Sequence, residues 1–592
     1  MRVKTTQWDL ESVRPGGREV ALEEQMEQIV HQLERRKSEL EKGNEDTLIE
    51  EAVENILHVQ ELQTKIFELD EYIICRQSTN VTDAKWRDMA GRCSILKSKF
   101  NTMMVSFRLF LAKISITQWE QLVEHPEVRS ARFYLNEERR KMEDQLSPEM
   151  EALIHDLAVD GFDGWEDHYE QELSNLRVRV EANGEAQSIP FSQAFVQAAF
   201  SHDRRVRKAV GEEILNTCEA NADRFASIFN HFAGFRNELY RIRDWSNPLK
   251  EMLDQNRIRE TTISSLMNTL HEHKHLLHQF FQRKAELSKV DKLTWYDTQA
   301  PTYTSETSLT YDEAAQIIIR QFHSFSEKLG VFAERAFEQG WIDAEPSEHK
   351  RHGAFCASLP AAEESRVLLS FTGSYQDLVT LAHELGHAYH NLILHEQPGF
   401  ARQIGTGLAE TASTFLENLV LDAAIEHAET KNDQLSLLEM KITNGLKYTA
   451  FIPAKFEFER AFYERRKHGA LSADELVQLN TEKEEEWFKG TLADVNGYTW
   501  MTIPHFYSTE KAYYNLPYTI GYLFSNGLYS MYLKEREGFP IMYDQLLENS
   551  GKRTMEELGR EFLNEDLTGS DFWEASLEPL KDAVEKYIKL TK

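Results

Sequence analysis

The sequence from about residue 19 to 190 alternates apolar and charged residues at helical spacing. The stretch EEAVENILHVQELQTKIFELDEYIICRQ is one example, and the residues around Phe100 to Ile114 are another. Glycine and proline are rare here, so little interrupts the pattern. Apolar residues three or four positions apart line one face of a helix, and the N-terminal part is therefore predicted to be nearly all helix.

The segment from Arg177 to Ser192 breaks this pattern. Two valines alternate with charged residues before the pair Asn183-Gly184, and an Ile-Pro pair follows, which predicts a hairpin or a linker. A chain of 592 residues is longer than a single hydrophobic core usually grows. We therefore predict an N-terminal helical domain over residues 1–190 and a second domain over residues 191–592, in which helical patterns resume.

The clearest strand signal lies between Arg351 and Thr372. The runs GAFCASLP and RVLLSFTG are short and rich in β-forming residues, and Pro360 and Gly373 bound them. A small sheet is expected here. Directly afterwards Ser374, with Asp377 three residues on, has the pattern of a capping box and predicts the start of a helix.

The composition argues against several classes of function. A formal net charge of −31 is unsuited to a general nucleic-acid or anionic-membrane binder, because such proteins need a cationic surface. No stretch approaches the roughly 18 uninterrupted apolar residues of a membrane helix, and the start, MRVKTTQWDLESVRPGG, lacks the apolar run of a secretory signal. We expect a cytoplasmic protein. The cysteines form no CxxC pair and suggest neither a thiolate zinc site nor a disulfide framework: Cys75, Cys93, Cys218 and Cys356.

Two stretches match the pattern His-Glu-x-x-His, one at His271–His275 and one at His383–His387. On a helix, histidines at positions i and i+4 point the same way and can bind one Zn²⁺. The glutamate at i+1 then lies beside the place of a metal-bound water. The pattern alone does not show which match is a metal site, so the neighbouring residues have to decide it.

The first match has unfavourable surroundings for a metal. An apolar stripe places His271 and His275 at the margin of the buried face, and the positive charge of Lys274 between them opposes a cation. Roughly 20 to 30 residues downstream there is only a Trp295-Tyr296-Asp297 loop, with no acidic residue on a second helix to complete a three-ligand site. We interpret this match as a polar helix edge.

The second match lies in LVTLAHELGHAYHNLIL, where nearly every neighbour is apolar. Burying unpaired polar groups costs on the order of 1–3 kcal/mol each, so these side chains need partners, which a metal supplies. Gly386 costs about 1 kcal/mol relative to alanine inside a helix. Its presence indicates that something approaches the helix backbone closely there.

A third ligand is expected from the following helix. The sequence GTGLAETASTFLE predicts a helix with Glu410 in its first turn and Glu417 two turns along the same face. Taken alone, Glu410 is also explained by the favourable helix dipole at an N-terminus. Taken with the two histidines, it is the natural partner. We predict that one zinc per chain is held by His383, His387 and Glu410, with Glu384 activating the water.

Further motifs occur in a fixed order along nearly the whole chain: Trp8-Asp9-Leu10, LTWYDTQAP, HGAFCASLP, RVLLSFTGSYQDLVTLAHELGHAYH, GLAETASTFLE, and a late HFY followed by a tyrosine-rich stretch. As a set they resemble the M3 family of zinc metallopeptidases, and within it the oligoendopeptidase F group. The likeness is strongest from Gly353 to Glu417. Residues 191–592 would then be the catalytic zinc-peptidase domain.

The resemblance implies a mainly α, two-lobed helical peptidase with a deep substrate channel and a small β-sheet next to the zinc-binding helix. It implies a zinc-dependent oligoendopeptidase that takes oligopeptides in the cytosol. In the family a histidine and several tyrosines near the C-terminus contact the substrate and stabilise the tetrahedral intermediate. Each tyrosine, taken singly, is explained equally well as an ordinary core or channel aromatic. The matching candidates are His505, Tyr507, Tyr514 and Tyr518.

Other functions stay open at this point. A zinc exopeptidase, such as a carboxypeptidase or dipeptidase, has a similar helical build and would need a fixed charge to bind a substrate terminus. A non-catalytic zinc or peptide-binding protein is a rival of another class, but a structural site has no use for Glu384. A nucleic-acid binder is disfavoured by charge. The strand near Gly353 and Ala354 is expected to hold a peptide by adding it as an extra strand.

Overall fold

The structure is a computed structural model that describes residues 5–14, 19–45, 47–182 and 185–592. Helices make up most of the described chain, as expected for a mainly α protein. In chain order they are α1 (Glu19–Lys42), α2 (Ile49–Thr79), α3 (Ala84–Lys113), α4 (Ile116–Val123), α5 (Arg132–Arg140), α6 (Pro148–Ala158), α7 (Gly164–Asn175), α8 (Phe191–Phe200), α9 (Arg204–Ile242), α10 (Lys250–Asn256), α11 (Glu260–Glu272), α12 (His275–Leu287), α13 (Tyr311–Phe325), α14 (Glu327–Glu338), α15 (Tyr375–His395), α16 (Thr406–Glu426), α17 (Lys431–Leu446), α18 (Ile452–Arg466), α19 (Ala473–Phe488), α20 (Thr499–Thr502), α21 (Leu516–Lys534), α22 (Phe539–Asn549), α23 (Met555–Leu558) and α24 (Asp571–Thr591).

The strands form two small sheets: β1 (Arg177–Ala182), β2 (Glu185–Pro190), β3 (Ile342–Asp343), β4 (Phe355–Leu359) and β5 (Glu364–Leu368). β1 and β2 pair antiparallel, so of the two predicted alternatives, a hairpin or a linker, the hairpin is the one observed. Its Asn183-Gly184 turn lies outside the described residues. The other sheet has the order β3-β5-β4, with β5 parallel to β3 and antiparallel to β4. β4 therefore forms one edge of this sheet.

The N-terminal helices pack as the sequence spacing predicts. In α2 the buried apolar positions recur every three or four residues, as Val53, Ile56, Val59, Leu62, Ile66, Leu69 and Ile73 do. The same core includes buried residues of α1 and α3 and continues to Ala357, Leu359 and Leu368 of the sheet. The apolar stripe of each helix is thus the surface that joins the N-terminal helices to β4 and β5.

Two compact units emerge from the contacts within the chain. Unit 1 is made of Met1–Gln145, Thr307–Ala423 and Met531–Glu565, and unit 2 of Leu146–Glu306, Ala424–Ser530 and Asp566–Lys592. Each unit combines three separate stretches of sequence. The predicted boundary near residue 190 divides the chain in sequence order and stays a prediction.

The helix α15 begins where the sequence predicts. Ser374 and Asp377 form a complete capping box, in which each side chain binds the backbone N–H of the other residue. The helix α15 packs on the small sheet, where Asn391 donates a hydrogen bond of 3.2 Å to Ser365. The expectation of a small sheet next to this helix is confirmed.

The four cysteines are all free, and three of them are buried. Among the helices of the described residues, none has both the length and the apolar character that crossing a bilayer requires.

Candidate metal centre

Two helices of unit 1 bring three possible metal ligands together. His383 and His387 lie one turn apart on α15, with ring centroids 4.9 Å apart. Glu410 comes from α16 and stands at the start of its second turn, because the helix begins at Thr406 rather than after Gly407. Within the described residues, this is the one group of three His, Cys, Asp or Glu side chains whose ligand atoms all lie within 4.8 Å of one another.

The donor set fits a zinc ion. Glu410 Oε2 lies 3.4 Å from His383 Nε2 and 3.6 Å from His387 Nε2. Two ligands at about 2.0–2.1 Å from a tetrahedral ion are themselves roughly 3.3 Å apart, so the observed separations need little adjustment. Three protein ligands of this kind leave a fourth position open, which is the arrangement of catalytic rather than structural zinc sites.

A second layer of side chains orients these ligands. Glu417 Oε2 lies 3.3 Å from His383 Nδ1, on the opposite side of the ring from Glu410. Ser413 donates a hydrogen bond of 3.0 Å to Glu410 Oε2, and the backbone of Ala409 holds His387. Neither Glu417 nor Ser413 was predicted from the sequence to have this role. The available signal was their spacing of seven and three residues after Glu410, which keeps them on the same helix face.

The electrostatics of the three ligands favours a bound cation. Burial opposes ionisation of Glu410, but its hydrogen bond to His383 and the imidazole charges outweigh burial and lower the pKa to about 2. Burial lowers the pKa of His387 to about 4, so this imidazole is neutral and offers a lone pair. Burial also opposes the charge on His383, but Glu410 and Glu417 raise its pKa to about 10. A metal ion bound here would take the place of a proton between two carboxylates.

Gly386 lets the two helices touch. A Cβ at this position would lie 2.5 Å from Ser413 Cα and 2.7 Å from Ala412 O, both in the backbone of α16. The close approach that the sequence indicated is therefore the neighbouring ligand-bearing helix. No side chain fits there unless α16 moves away from α15.

Glu384 is buried beside the ligands, with 7% of its surface exposed. Burial raises the pKa of its carboxyl to about 7, a rise that His383 opposes and Glu410 reinforces. Since position 384 follows His383 by about 100° around the helix, the carboxyl adjoins the ligand cluster without belonging to it.

The other His-Glu-x-x-His match lies across a break between helices. α11 ends at Glu272 and α12 begins at His275, so His271 and His275 do not share one helix. His271 Nε2 instead lies 2.5 Å from Glu457, and its ring packs on Trp487 at 4.4 Å. This geometry agrees with the interpretation of a polar edge.

The C-terminal candidates, all in unit 2, divide into two groups. His505, Tyr514 and Tyr518 are half-buried and form a cluster, with ring centroids 4.6–5.7 Å apart. Burial, with the charges of Lys447 and Lys511, lowers the pKa of His505, so its imidazole is neutral at pH 7.

Tyr507 lies apart from that cluster. Its side chain is fully buried and stacks on Tyr169 at 3.6 Å, and its hydroxyl donates to the backbone carbonyl of Trp500 at 3.1 Å. Tyr507 is therefore an ordinary core aromatic, which was the alternative to a role in the site.

Comparison with known proteins places this geometry in context. The chain matches the family model of Peptidase family M3 over residues 198–578, well over half its length, and the model named Oligopeptidase F over residues 111–177. Group B oligopeptidase PepB of Streptococcus agalactiae is 25% identical over 484 residues, which are 80% of this chain and 79% of that protein. The chromosomal oligoendopeptidase F of Lactococcus lactis subsp. cremoris is 27% identical over 328 residues, 54% of each protein.

The fold also has solved counterparts. The crystal structure of oligoendopeptidase F from Enterococcus faecium superimposes with a TM-score of 0.71 at 19% identity. The match covers 96% of this chain and 98% of that one. At this level of identity the likeness establishes the fold.

We expect Gly386→Ala to separate α15 from α16. The added methyl meets backbone atoms that cannot rotate away, so the variant should lose about 1–3 kcal/mol of stability and bind zinc more weakly. Thermal unfolding and metal analysis measure both effects. The control is Gly91→Ala in α3, where no atom lies within 4 Å of the added methyl and where alanine should stabilise by about 0.5–1 kcal/mol. Equal changes in stability and zinc binding in the two variants would contradict a close contact at Gly386.

We expect His383→Ala and Glu410→Gln to abolish the binding of about one zinc per chain, because each removes a ligand of a three-ligand site. Glu417→Gln should weaken zinc binding by about 10- to 100-fold, the scale for a residue that orients a ligand. His271→Ala is the control and should keep its zinc. Metal analysis after dialysis against graded chelator measures these affinities. Zinc loss from His271→Ala would show that the proposed ligands belong to the wrong His-Glu-x-x-His match.

Proposed function

The chain belongs to peptidase family M3, and we propose that it is a zinc-dependent oligoendopeptidase that hydrolyses internal bonds of short peptides. The single observation that carries this proposal is the close group of His383, His387 and Glu410 with the buried Glu384 beside it. A structural metal site has no need of an acidic side chain next to its open position. A hydrolytic site needs one as a base.

The proposed mechanism divides the work between the ligands and the base. A zinc ion held by His383, His387 and Glu410 would supply a Lewis acid that makes water a nucleophile near neutral pH. Glu384 accepts the proton of the attacking water and returns it to the departing amine nitrogen. Glu417 and Ser413 keep the ligands in place while this proton moves.

The cluster of His505, Tyr514 and Tyr518 is proposed to donate hydrogen bonds to the oxyanion of the tetrahedral intermediate. The neutral imidazole of His505 keeps one N–H donor, and a tyrosine hydroxyl is a donor below its pKa. Each such donor is worth about 10²- to 10³-fold in rate if it behaves like other oxyanion donors. Tyr507 is left out of this group because its hydroxyl already donates to Trp500.

The substrate main chain is proposed to pair with β4. This strand forms the edge of its sheet, so one side of its backbone is not used by β5. Near its end the N–H of Ser358 is already bound by the carboxylate of Glu71. Gly353 and Ala354, near which the strand was expected, come just before it, since β4 begins at Phe355. The peptide is therefore proposed to add as a further strand along the first residues of β4.

We also propose a domain boundary near residue 190 and a cytoplasmic location. A domain boundary near residue 190 is supported by the two family-model matches, one of which ends at residue 177 while the other begins at residue 198. A cytoplasmic location is supported by the four free cysteines, which suit a reducing compartment.

The function is tested with a mixed library of peptides of roughly 5 to 20 residues and a stable folded domain as substrates. We expect internal cleavage of the peptides and survival of the folded domain, because only an extended chain can add to β4. Mass spectrometry maps the cut positions with and without a chelator. Cuts confined to one terminus would favour the exopeptidase alternative, and cleavage that persists with the chelator would contradict zinc dependence.

We expect Glu384→Gln to keep its zinc and its fold while kcat falls by about 10²-fold or more, because glutamine retains the size but removes the base. Steady-state kinetics on one library peptide, with metal analysis, measures both properties. Glu272→Gln, the same change in the other His-Glu-x-x-His match, is the control and should keep full kcat. Loss of zinc from Glu384→Gln would make Glu384 a ligand, and full activity would exclude it as the base.

A further inference from the structure

The loop from Ser508 to Tyr513, here called the connecting loop, joins His505 to Tyr514. It is irregular along its whole length, and α21 begins only after it, at Leu516. An irregular loop has few backbone hydrogen bonds of its own to fix its path. The position of His505 relative to Tyr514 therefore depends on what else holds this loop.

Arg236 of α9 binds the start of the loop from inside unit 2. Its Nη2 donates to the carbonyl oxygens of Ser508 at 2.8 Å and Thr509 at 3.0 Å. The side chain is 2% exposed, and its Nη1 donates to Tyr463 at 3.2 Å. A buried guanidinium with fixed partners holds both carbonyls in one orientation.

Glu166 of α7 binds the hydrogen-bond donors of Thr509, whose carbonyl oxygen Arg236 binds. Glu166 Oε2 accepts hydrogen bonds from the backbone N–H of Thr509 at 2.8 Å and from its hydroxyl at 2.5 Å. Thr509 thus has its carbonyl bound by a cation and its N–H bound by an anion. Both bonds are charge-assisted, which makes them about twice as strong as neutral ones.

The end of the loop is held by Glu459 of α18, whose side chain is 1% exposed. Its carboxyl accepts a hydrogen bond from the backbone N–H of Tyr513. Tyr513 has φ +52°, in the left-handed region that a bulky residue adopts only at a cost of roughly 1–3 kcal/mol. Its ring is buried against Tyr463 and Phe456. The bond to Glu459 and this packing hold the strained turn that precedes Tyr514.

We propose that Glu166, Arg236 and Glu459 are positioning residues, which clamp the connecting loop so that His505 and Tyr514 meet the substrate in one geometry. This inference rests on the proposed function of that cluster. All three side chains bind backbone groups of the loop, and Glu166 also binds the hydroxyl of Thr509. They come from three different helices of unit 2, which fix them independently of the loop.

The clamp acts on the rate through geometry. A displacement of about 1 Å in a group that stabilises the transition state can cost about 10²-fold in rate without a change in substrate affinity. Loosening the loop is therefore expected to lower kcat and leave KM nearly unchanged. A residue that only stabilises the fold would lower the melting temperature and leave kcat per folded, zinc-loaded molecule as it was.

The test compares Glu166→Ala with Glu166→Gln. The alanine variant should lose about tenfold or more in kcat per bound zinc with KM within about twofold, and the glutamine variant, which keeps an acceptor for Thr509, should recover most of it. In a Tyr514→Phe background, Glu166→Ala should lower kcat little further, because both substitutions act through the hydroxyl of Tyr514. Amide hydrogen exchange should quicken in the peptides that cover the connecting loop.

Glu151→Ala is the matched control. Glu151 of α6 also accepts one backbone N–H, from Leu146 at 3.0 Å, and one side-chain donor, from Arg243 at 2.8 Å, but it does not touch the connecting loop. It should match Glu166→Ala in lost stability while kcat is unchanged. An unchanged kcat in Glu166→Ala, or a loss that adds fully to that of Tyr514→Phe, would overturn the clamp. If the wild-type protein cut no peptide, the proposed function would fail, and hydrogen exchange in the connecting loop would still decide for or against the clamp.

Discussion

The contact between the backbones of α15 and α16 is the constraint on which the metal centre depends. Three ligands from two helices meet only if the helix axes come close, and the built Cβ at Gly386, 2.5 Å from Ser413 Cα, shows that glycine is the residue that allows this approach. The same contact sets the distance between Glu417 and His383. A helix-weakening glycine in an apolar helix is thus explained by the geometry of its neighbour.

Burial of charge is the second organising effect. Glu410, Glu417 and the two histidines lie within a few ångströms of one another and are each only about a quarter exposed. Buried ionised groups are costly unless they are paired, and pairing here leaves carboxylates in excess over positive charge. A divalent cation would balance that excess, whereas a proton on His383 does so only in part.

Unit 2 uses an arginine and two glutamate side chains for another purpose. Arg236, Glu166 and Glu459 are directed at the carbonyls and N–H groups of the connecting loop, so the backbone itself is the partner. Side chains that bind backbone groups in this way fix a loop without help from regular secondary structure. The bound loop keeps irregular geometry, including a left-handed tyrosine.

The sequence alone determined the elements whose pattern is local. Helical periodicity predicted the N-terminal helices, alternation predicted the β1–β2 hairpin, and the Ser374 capping box predicted where α15 begins, because each depends on residues a few positions apart. Motif spacing gave two candidate ligand groups, since positions i and i+4 share a helix face, and the apolar neighbours and the following glutamate favoured the one at His383 and His387. The tertiary structure decided what depends on distant residues. The first His-Glu-x-x-His match spans a helix break, with His271 paired to Glu457, and Tyr507 lies in the core. Arg236 binds carbonyls 272 and 273 residues further along the chain. Such contacts arise from how whole helices pack, and no local pattern in the sequence encodes that packing.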